Sequence, residues 1–257
     1  MTITLTGTGI HATDTANLTR AFAEAGTDTS KRHIVLDGMF KTLVTHQIPP
    51  YTIIEGSGAA ILTYSGPPTS RPVLSILGTG SRISGVHLYC QHKSRGIKFT
   101  NCTYGNICQS VRVYDAEQLG VDFDRCWAGH VDDLMVVGTR GVSTRHYQCN
   151  SAHYNRLRIV DNTLDAGVWP EGIPEDKRAC MVLLGDQDLC NFTNLIFEPV
   201  VCGAYPAISC RSSVSRFSNV RFENCRFSDA MVKVHGNGGR EGTCLTFEDI
   251  WIYNPQP

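Results

Sequence analysis

Residues 217–225 read FSNVRFENC and residues 247–255 read FEDIWIYNP. Both open on one six-residue pattern, apolar-x-x-apolar-x-apolar. The same pattern starts at Phe192 (FTNLIF), Tyr154 (YNRLRI), Val131 (VDDLMV), Cys108 (CQSVRV) and Ile83 (ISGVHL). Subtracting successive starts from Ile83 to Phe247 gives intervals of 25, 23, 23, 38, 25 and 30 residues. A strand-like unit returning at this spacing cannot bury its apolar face alone and must stack on copies of itself, which specifies a solenoid.

Most units carry a second alternating run: GIKF (96–99), GVDF (120–123), CMVL (180–183), AISC (207–210) and VKV (232–234). Each coil therefore holds at least two strands of period two, with apolar residues pointing in and the residues between them pointing out. Equivalent strands of successive coils then lie roughly 4.8 Å apart and pair in parallel. That geometry is a parallel β-helix, and right-handed winding is the expected hand of parallel crossovers. An antiparallel sandwich also gives short, evenly spaced strands, but these runs repeat in phase rather than pairing as hairpins.

Ahead of the repeats, DTANLTRAFAEAG places Ala16, Leu18, Ala21, Phe22 and Ala25 at mostly helical spacing. The spacing predicts one amphipathic helix, N-capped by Asp14 and stopped by Gly26. Such a helix caps the first coil, whose apolar end would otherwise face water. Residues 1–12 read as an extended lead-in. HIVLDG (33–38), TLVT (42–45), YTIIEG (51–56), AAILTYSG (59–66) and VLSILG (73–78) are short strand-like runs. The expected organisation is one all-β domain over 1–257: lead-in and capping helix over 1–32, irregular first coils over 33–80, and regular coils over 81–257.

The composition narrows the function. The chain has 257 residues, 42% hydrophobic and 18% charged, so it packs a core rather than staying disordered. A net charge of −1 argues against a general nucleic-acid binder. No apolar run approaches the ~20 residues of a membrane span, and the N-terminal stretch lacks the basic and apolar regions of a secretory signal. Eleven cysteines are scattered without a C-x-x-C pair, which argues against a zinc ribbon. Cys102, Cys126 and Cys149 are separated by 24 and 23 residues, the repeat interval, and predict an interior ladder of reduced thiols.

The segments TDTANLTRAFAEAG, HIVLDGMFKT and YTIIEGSG, with the rungs FSNVRFENC and FEDIWIYNP, resemble the pectate-lyase-like β-helix superfamily. The likeness is to the branch shared by phage tailspikes and glycan-cleaving enzymes, and it covers nearly the whole chain. It implies the fold. It leaves the chemistry open among lyases, hydrolases, epimerases and non-catalytic adhesins. It also implies a virion-tail or extracellular location, a homotrimer and a polysaccharide partner.

Four groups are candidates for chemistry. His130, Asp132 and Asp133 form HVDD, and paired carboxylates can serve acid/base work at a glycosidic bond. The resemblance brings in the Asp-Asp motif of polygalacturonases, but their later Gly-His-Gly has only His235 and Gly236 here, and RGIK (95–98) precedes rather than follows. A solvated strand start is the plainer reading. Second, the 38-residue interval holds an insertion, 161–178, with Trp169, Glu171, Glu175, Asp176, Lys177 and Arg178. Insertions in solenoids map to one face, often the binding face, and an aromatic ring can stack on a sugar; the plainer reading tucks Trp169 onto the coil beneath. Third, His87, Arg112, Met135, Arg158, Ile196, Arg221 and Trp251 share hexad position five. They form an outward stripe able to bind anions, to pair with acids such as Asp115 or Glu223, or to lie between subunits. Fourth, Lys98, Asp122 and Ser143 are expected in one outward row near Asp124, Arg145 and His146. Lyase chemistry needs such a base and cation, whereas Asp122 and Asp124 are too few for calcium. Charge compensation along the sheet is the plainer reading. Asn194, Asn219, Asp249 and Asp133 share position three and are expected to form a turn ladder. No metal or cofactor is expected. The leading reading is a tailspike-like protein that recognises a surface polysaccharide. The alternatives are a glycoside hydrolase or polysaccharide lyase, and a purely structural virion component.

Overall fold

The computed structural model describes residues 2–25, 31–164, 168–185, 188–211, 214–227, 230–235 and 244–253. Its strands form two parallel sheets, each ordered along the chain. The ten-stranded sheet comprises Thr2–Thr6, Arg32–Thr42, Thr52–Tyr64, Arg82–Tyr89, Thr103–Tyr114, Trp127–Val137, His153–Thr163, Asp188–Val201, Val214–Glu223 and Cys244–Tyr253. The eight-stranded sheet comprises His46–Ile48, Pro72–Leu77, Arg95–Thr100, Leu119–Asp124, Val142–Tyr147, Met181–Leu184, Ile208–Cys210 and Val232–Val234. From Arg32–Thr42 onward the chain alternates between them, so each circuit adds one strand to each sheet. This is the right-handed parallel β-helix that the hexads predict.

The spacing of the hexad has a backbone cause. Strict alternation would put positions one and four on opposite faces. Position three instead takes a left-handed conformation in all seven hexads: Gly85, Ser110, Asp133, Arg156, Asn194, Asn219 and Asp249 have φ between 51° and 63°. The chain turns a corner there, and positions one and four both face inward. Five of these seven residues are Gly, Asn or Asp, the types that tolerate that region best.

Position one stacks into a column inside the coils. Tyr154, Phe192, Phe217 and Phe247 lie with ring centroids 4.6, 4.8 and 4.7 Å apart and nearly parallel. Cys102, Cys126 and Cys149 are fully buried, as expected of the ladder, and among the described side chains every cysteine is free and buried.

The N-terminal region differs from the sequence expectation in three ways. Thr2–Thr6 is a strand, paired in parallel with Arg32–Thr42, rather than a bare lead-in. The helix runs His11–Ala25, so it starts three residues before Asp14. Asp14 is fully buried inside the first turn and does not sit at the N-cap. Its carboxylate accepts from the Thr8 amide (2.9 Å), the Thr8 hydroxyl (2.8 Å) and the Lys41 amide (3.0 Å), tying the helix to the link before it and the strand after it. Leu18, Ala21 and Phe22 are buried in the core, as a cap requires. The expected stop at Gly26 lies outside the described residues.

Candidate functional site

The insertion folds onto the outer face of the eight-stranded sheet. Ile173 is buried there with Leu119, Val142, Ala179, Val182 and Leu184, in a small apolar cluster separate from the main core. Trp169 packs against both clusters. Tyr205 meets its ring edge-on at 4.8 Å, and the Arg178 guanidinium lies 5.0 Å from its centroid. Trp169 is thus tucked against the coil. Glu171, Glu175 and Asp176 are exposed, the last two on the 3₁₀ turn Glu175–Lys177.

Beside the insertion lies a cleft lined by Pro72, Arg95, Ile97, Lys98, Leu119, Asp122 and Arg145. Strand register puts Lys98, Asp122 and Arg145 in one row. Ser143, expected in that row, is buried, and it falls two residues before the true register partner Arg145. His146 points inward and is fully buried. Arg145 donates from Nε and Nη2 to the two oxygens of Asp122 at 2.9 and 2.6 Å, and from Nη1 to the Glu171 carbonyl at 3.4 Å. Lys98 Nζ lies 3.1 Å from Asp124 and 3.9 Å from Asp122, and Arg125 Nε donates to Asp124 at 2.9 Å. Burial pushes the Asp124 carboxyl up, but hydrogen bonds from Arg125 and Lys98 outweigh it and hold it below the usual carboxylate range. Burial lowers Arg95, and the like charge of Arg145 lowers it further. Arg95 donates from Nε and Nη2 to the Gln118 amide oxygen at 3.0 and 2.7 Å, which supplies no charge. Arg95, Lys98 and Arg145, with Arg125 at the edge, therefore meet the carboxylates Asp122 and Asp124 and that of Glu171, which acts on Arg95, and one positive charge is left in excess.

Asp132 and Asp133 lie elsewhere, on a short face bracketed by the left-handed corners Ala128 and Asp133. Arg112 Nη2 donates to both carboxylate oxygens of Asp133 at 2.8 and 2.9 Å. Arg156 donates from Nη2 and Nε to Asp132 at 2.6 and 3.1 Å, and Asn155 adds a bond of 2.8 Å. The Arg156 hydrogen bond holds the Asp132 carboxyl below its ordinary range. His130 faces outward and stacks on His153, with ring centroids 5.1 Å apart. These three residues and the insertion occupy different faces of the coil. His235 lies on the eight-stranded side, 3.0 Å from the Ser209 hydroxyl; Gly236 lies outside the described residues.

The position-five stripe forms one register row from His87 to Trp251. Its arginines find other acids than Asp115 or Glu223: Arg112 holds Asp133, and Arg158 Nη2 donates to Glu198 at 2.8 Å. Of the expected position-three turn ladder only the Asn219–Asn194 link forms among the described residues; the chain of bonds then passes to the position-two residues Asn155 and Asp132, and Asp133 binds Arg112 instead. Asn219 donates to Asn194 (2.6 Å), Asn194 to Asn155 (2.8 Å), and Asn155 to Asp132. Among the described residues no three His, Cys, Asp or Glu side chains converge where a metal could bind, and no helix is long and apolar enough to cross a membrane.

Solved structures of other proteins share this right-handed parallel β-helix fold. The ORF18 protein of Geobacillus virus E2 superposes with a TM-score of 0.53 at 12% identity, over 96% of this chain and 62% of that one. An alginate lyase from Paenibacillus sp. str. FPU-7 superposes with a TM-score of 0.55 at 10% identity, over 97% of this chain and 98% of that one. The chain thus spans 62% of the length of the virus protein and nearly all of the lyase. At these identities the likeness is one of fold. No family model matches the chain, and no curated protein does.

Proposed function

We propose that this protein recognises a surface polysaccharide carrying acidic groups, as a tailspike-like or tail-associated β-helix, in the cleft beside the insertion. The observation that supports this most is the insertion's placement: the one segment that breaks the repeat folds over the row Lys98–Asp122–Arg145, on a face with excess positive charge. A carboxylate or sulfate on a sugar would compensate Arg95 and Lys98. Trp169 and Arg178 brace the loop, while Glu171, Glu175 and Asp176 offer acceptors to sugar hydroxyls. A polysaccharide lyase among proteins of this fold is consistent with a glycan ligand. Recognition is favoured over cleavage at Asp132 and Asp133, because both are held by arginines and a general acid must keep a proton.

The test is a calorimetric titration of the full chain with hexagalacturonate. The double variant Arg95→Ala/Lys98→Ala is expected to bind at least about tenfold more weakly, as loss of charge-assisted contacts would cause. Equal affinity in wild type and variant sinks the cleft as the site. Equal affinity after Trp169→Ala and Glu171→Ala removes the insertion from it. Reducing-end and unsaturated-product assays on the same ligand read hydrolase or lyase turnover directly, and either product would replace recognition with catalysis.

A further inference from the structure

We infer that the short face carrying His130 is a second glycan-binding surface, selective for uncharged sugar residues and separate from the cleft. The face lies between two left-handed corners of each coil, at Ala128 and Asp133 in one coil and at Ser151 and Arg156 in the next. Its outward residues form two register rows. One runs Asn106, His130, His153, Asn191, and the other Gln109, Asp132, Asn155, Thr193. Strand spacing repeats these groups roughly every 4.8 Å, close to the length of one pyranose in an extended chain.

Two exposed rings edge this face. Tyr104 is 73% exposed and Trp127 is 55% exposed. The coil itself needs neither. Tyr104 is in register with Ala128, and Trp127 with Thr103 and Asn150, so small or polar residues fill the same slots one coil away. Tyr104 also holds a left-handed φ of 59°, a conformation costly for a bulky residue. Large apolar rings kept in water where neighbouring coils use alanine, threonine and asparagine mark a contact surface.

The charges select the ligand. Asp132 is neutralised by Arg156 in a bond of 2.6 Å, which leaves amides, imidazoles, a hydroxyl and aromatic faces. These groups pair with sugar hydroxyls and C–H faces, and Arg216, the next residue of the His130 row, is held by Glu248 at 2.6 Å. The stacked pair His130–His153, with planes 8° apart, sets two imidazole rings side by side along the row.

The full chain is titrated calorimetrically with cello-, xylo-, manno- and maltohexaose. At least one is expected to bind, and Trp127→Thr/Tyr104→Ala, which copies the neighbouring coils, is expected to weaken it by about tenfold at an unchanged thermal midpoint. Excess hexagalacturonate is expected to leave that binding intact. The inference is overturned if no neutral hexaose binds, if the double variant binds as wild type does, or if hexagalacturonate displaces the hexaose. Should the double variant not fold, His153→Asn, which copies Asn106 and Asn191 in its row, gives the same reading.

Discussion

Asn194 does two jobs at its corner. It adopts a φ of 56°, and its side chain both donates to Asn155 and accepts from Asn219. Asn194→Ala is therefore expected to lose left-handed tolerance and a ladder bond at once, destabilising by about 2–3 kcal/mol. Asn194→Gly keeps the backbone freedom and is expected to cost about 1 kcal/mol less. Urea unfolding of both variants checks the order; equal losses would remove the backbone share. A second residue-scale effect is acid sensitivity. Burial pushes His146 down to about 3 and His46 down to about 4. Both bind protons in the unfolded chain near pH 6.5 but resist them when folded. Their contribution is thus complete above pH 6.5 and is lost as pH falls toward 4 and 3. His146 shares a row with Phe99 and Phe123, so His146→Phe copies its neighbours. It is expected to lower the acid-unfolding midpoint and reduce the stability change between pH 7 and pH 5, read by urea melts at each pH.

The helix and the insertion show what periodicity can and cannot disclose. The helix was legible because Leu18, Ala21 and Phe22 fall on one face, but its start was not. Asp14 has the chemistry of a cap, yet its partners are Thr8, in the link before the helix, and the Lys41 amide, in the strand after it. Tertiary contacts, invisible in local pattern, took the carboxylate. Asp14→Ala would remove the acceptor of three part-buried hydrogen bonds, and a loss of about 2 kcal/mol is expected in urea unfolding; a loss below about 0.5 kcal/mol would deny it the tether role. The hexads were legible to the residue because their apolar positions one, four and six all face inward, while the left-handed corner at position three is written as Gly, Asn or Asp in five of the seven and as Ser110 and Arg156 in the others. The cleft was legible only in pieces. Lys98 and Asp122 fell into their row, but Ser143 was taken for Arg145, although the interval of 23 residues from Asp122 points to Arg145. That the insertion would fold onto this row was beyond periodicity. Its anchors are Ile173 and Trp169, which meet the cluster of Leu119, Val142 and Val182 only once the coils are stacked.

At the scale of the molecule, the outer face of the ten-stranded sheet remains to be explained. Its position-five row continues the register back to Met39 and Ile61 and ends at Trp251, and Met39 and Trp251 are 55% and 50% exposed. The neighbouring outward row contains Tyr89, Tyr114, Val137, Val160 and Tyr253, with Tyr89 and Tyr114 stacked 4.4 Å apart. Arg112 and Arg158 in the stripe are already held by Asp133 and Glu198, so they need not carry bare charge into an interface. A long, partly apolar face with two of its three arginines held by acids suits burial between identical subunits, whose stable contacts cover roughly 1,200–2,000 Å². The proposed homotrimer places this face inside. Light scattering of the full chain is then expected to give three times the chain mass of 28.3 kDa. Met135→Lys with Ile196→Lys sets two further cations among Arg112, Arg158 and Arg221 of the row and is expected to reduce the mass to one chain, with the far-ultraviolet spectrum of the β-helix unchanged. A single-chain mass for the wild type rejects the trimer, and a trimer that survives both substitutions moves the interface to another face of the coil.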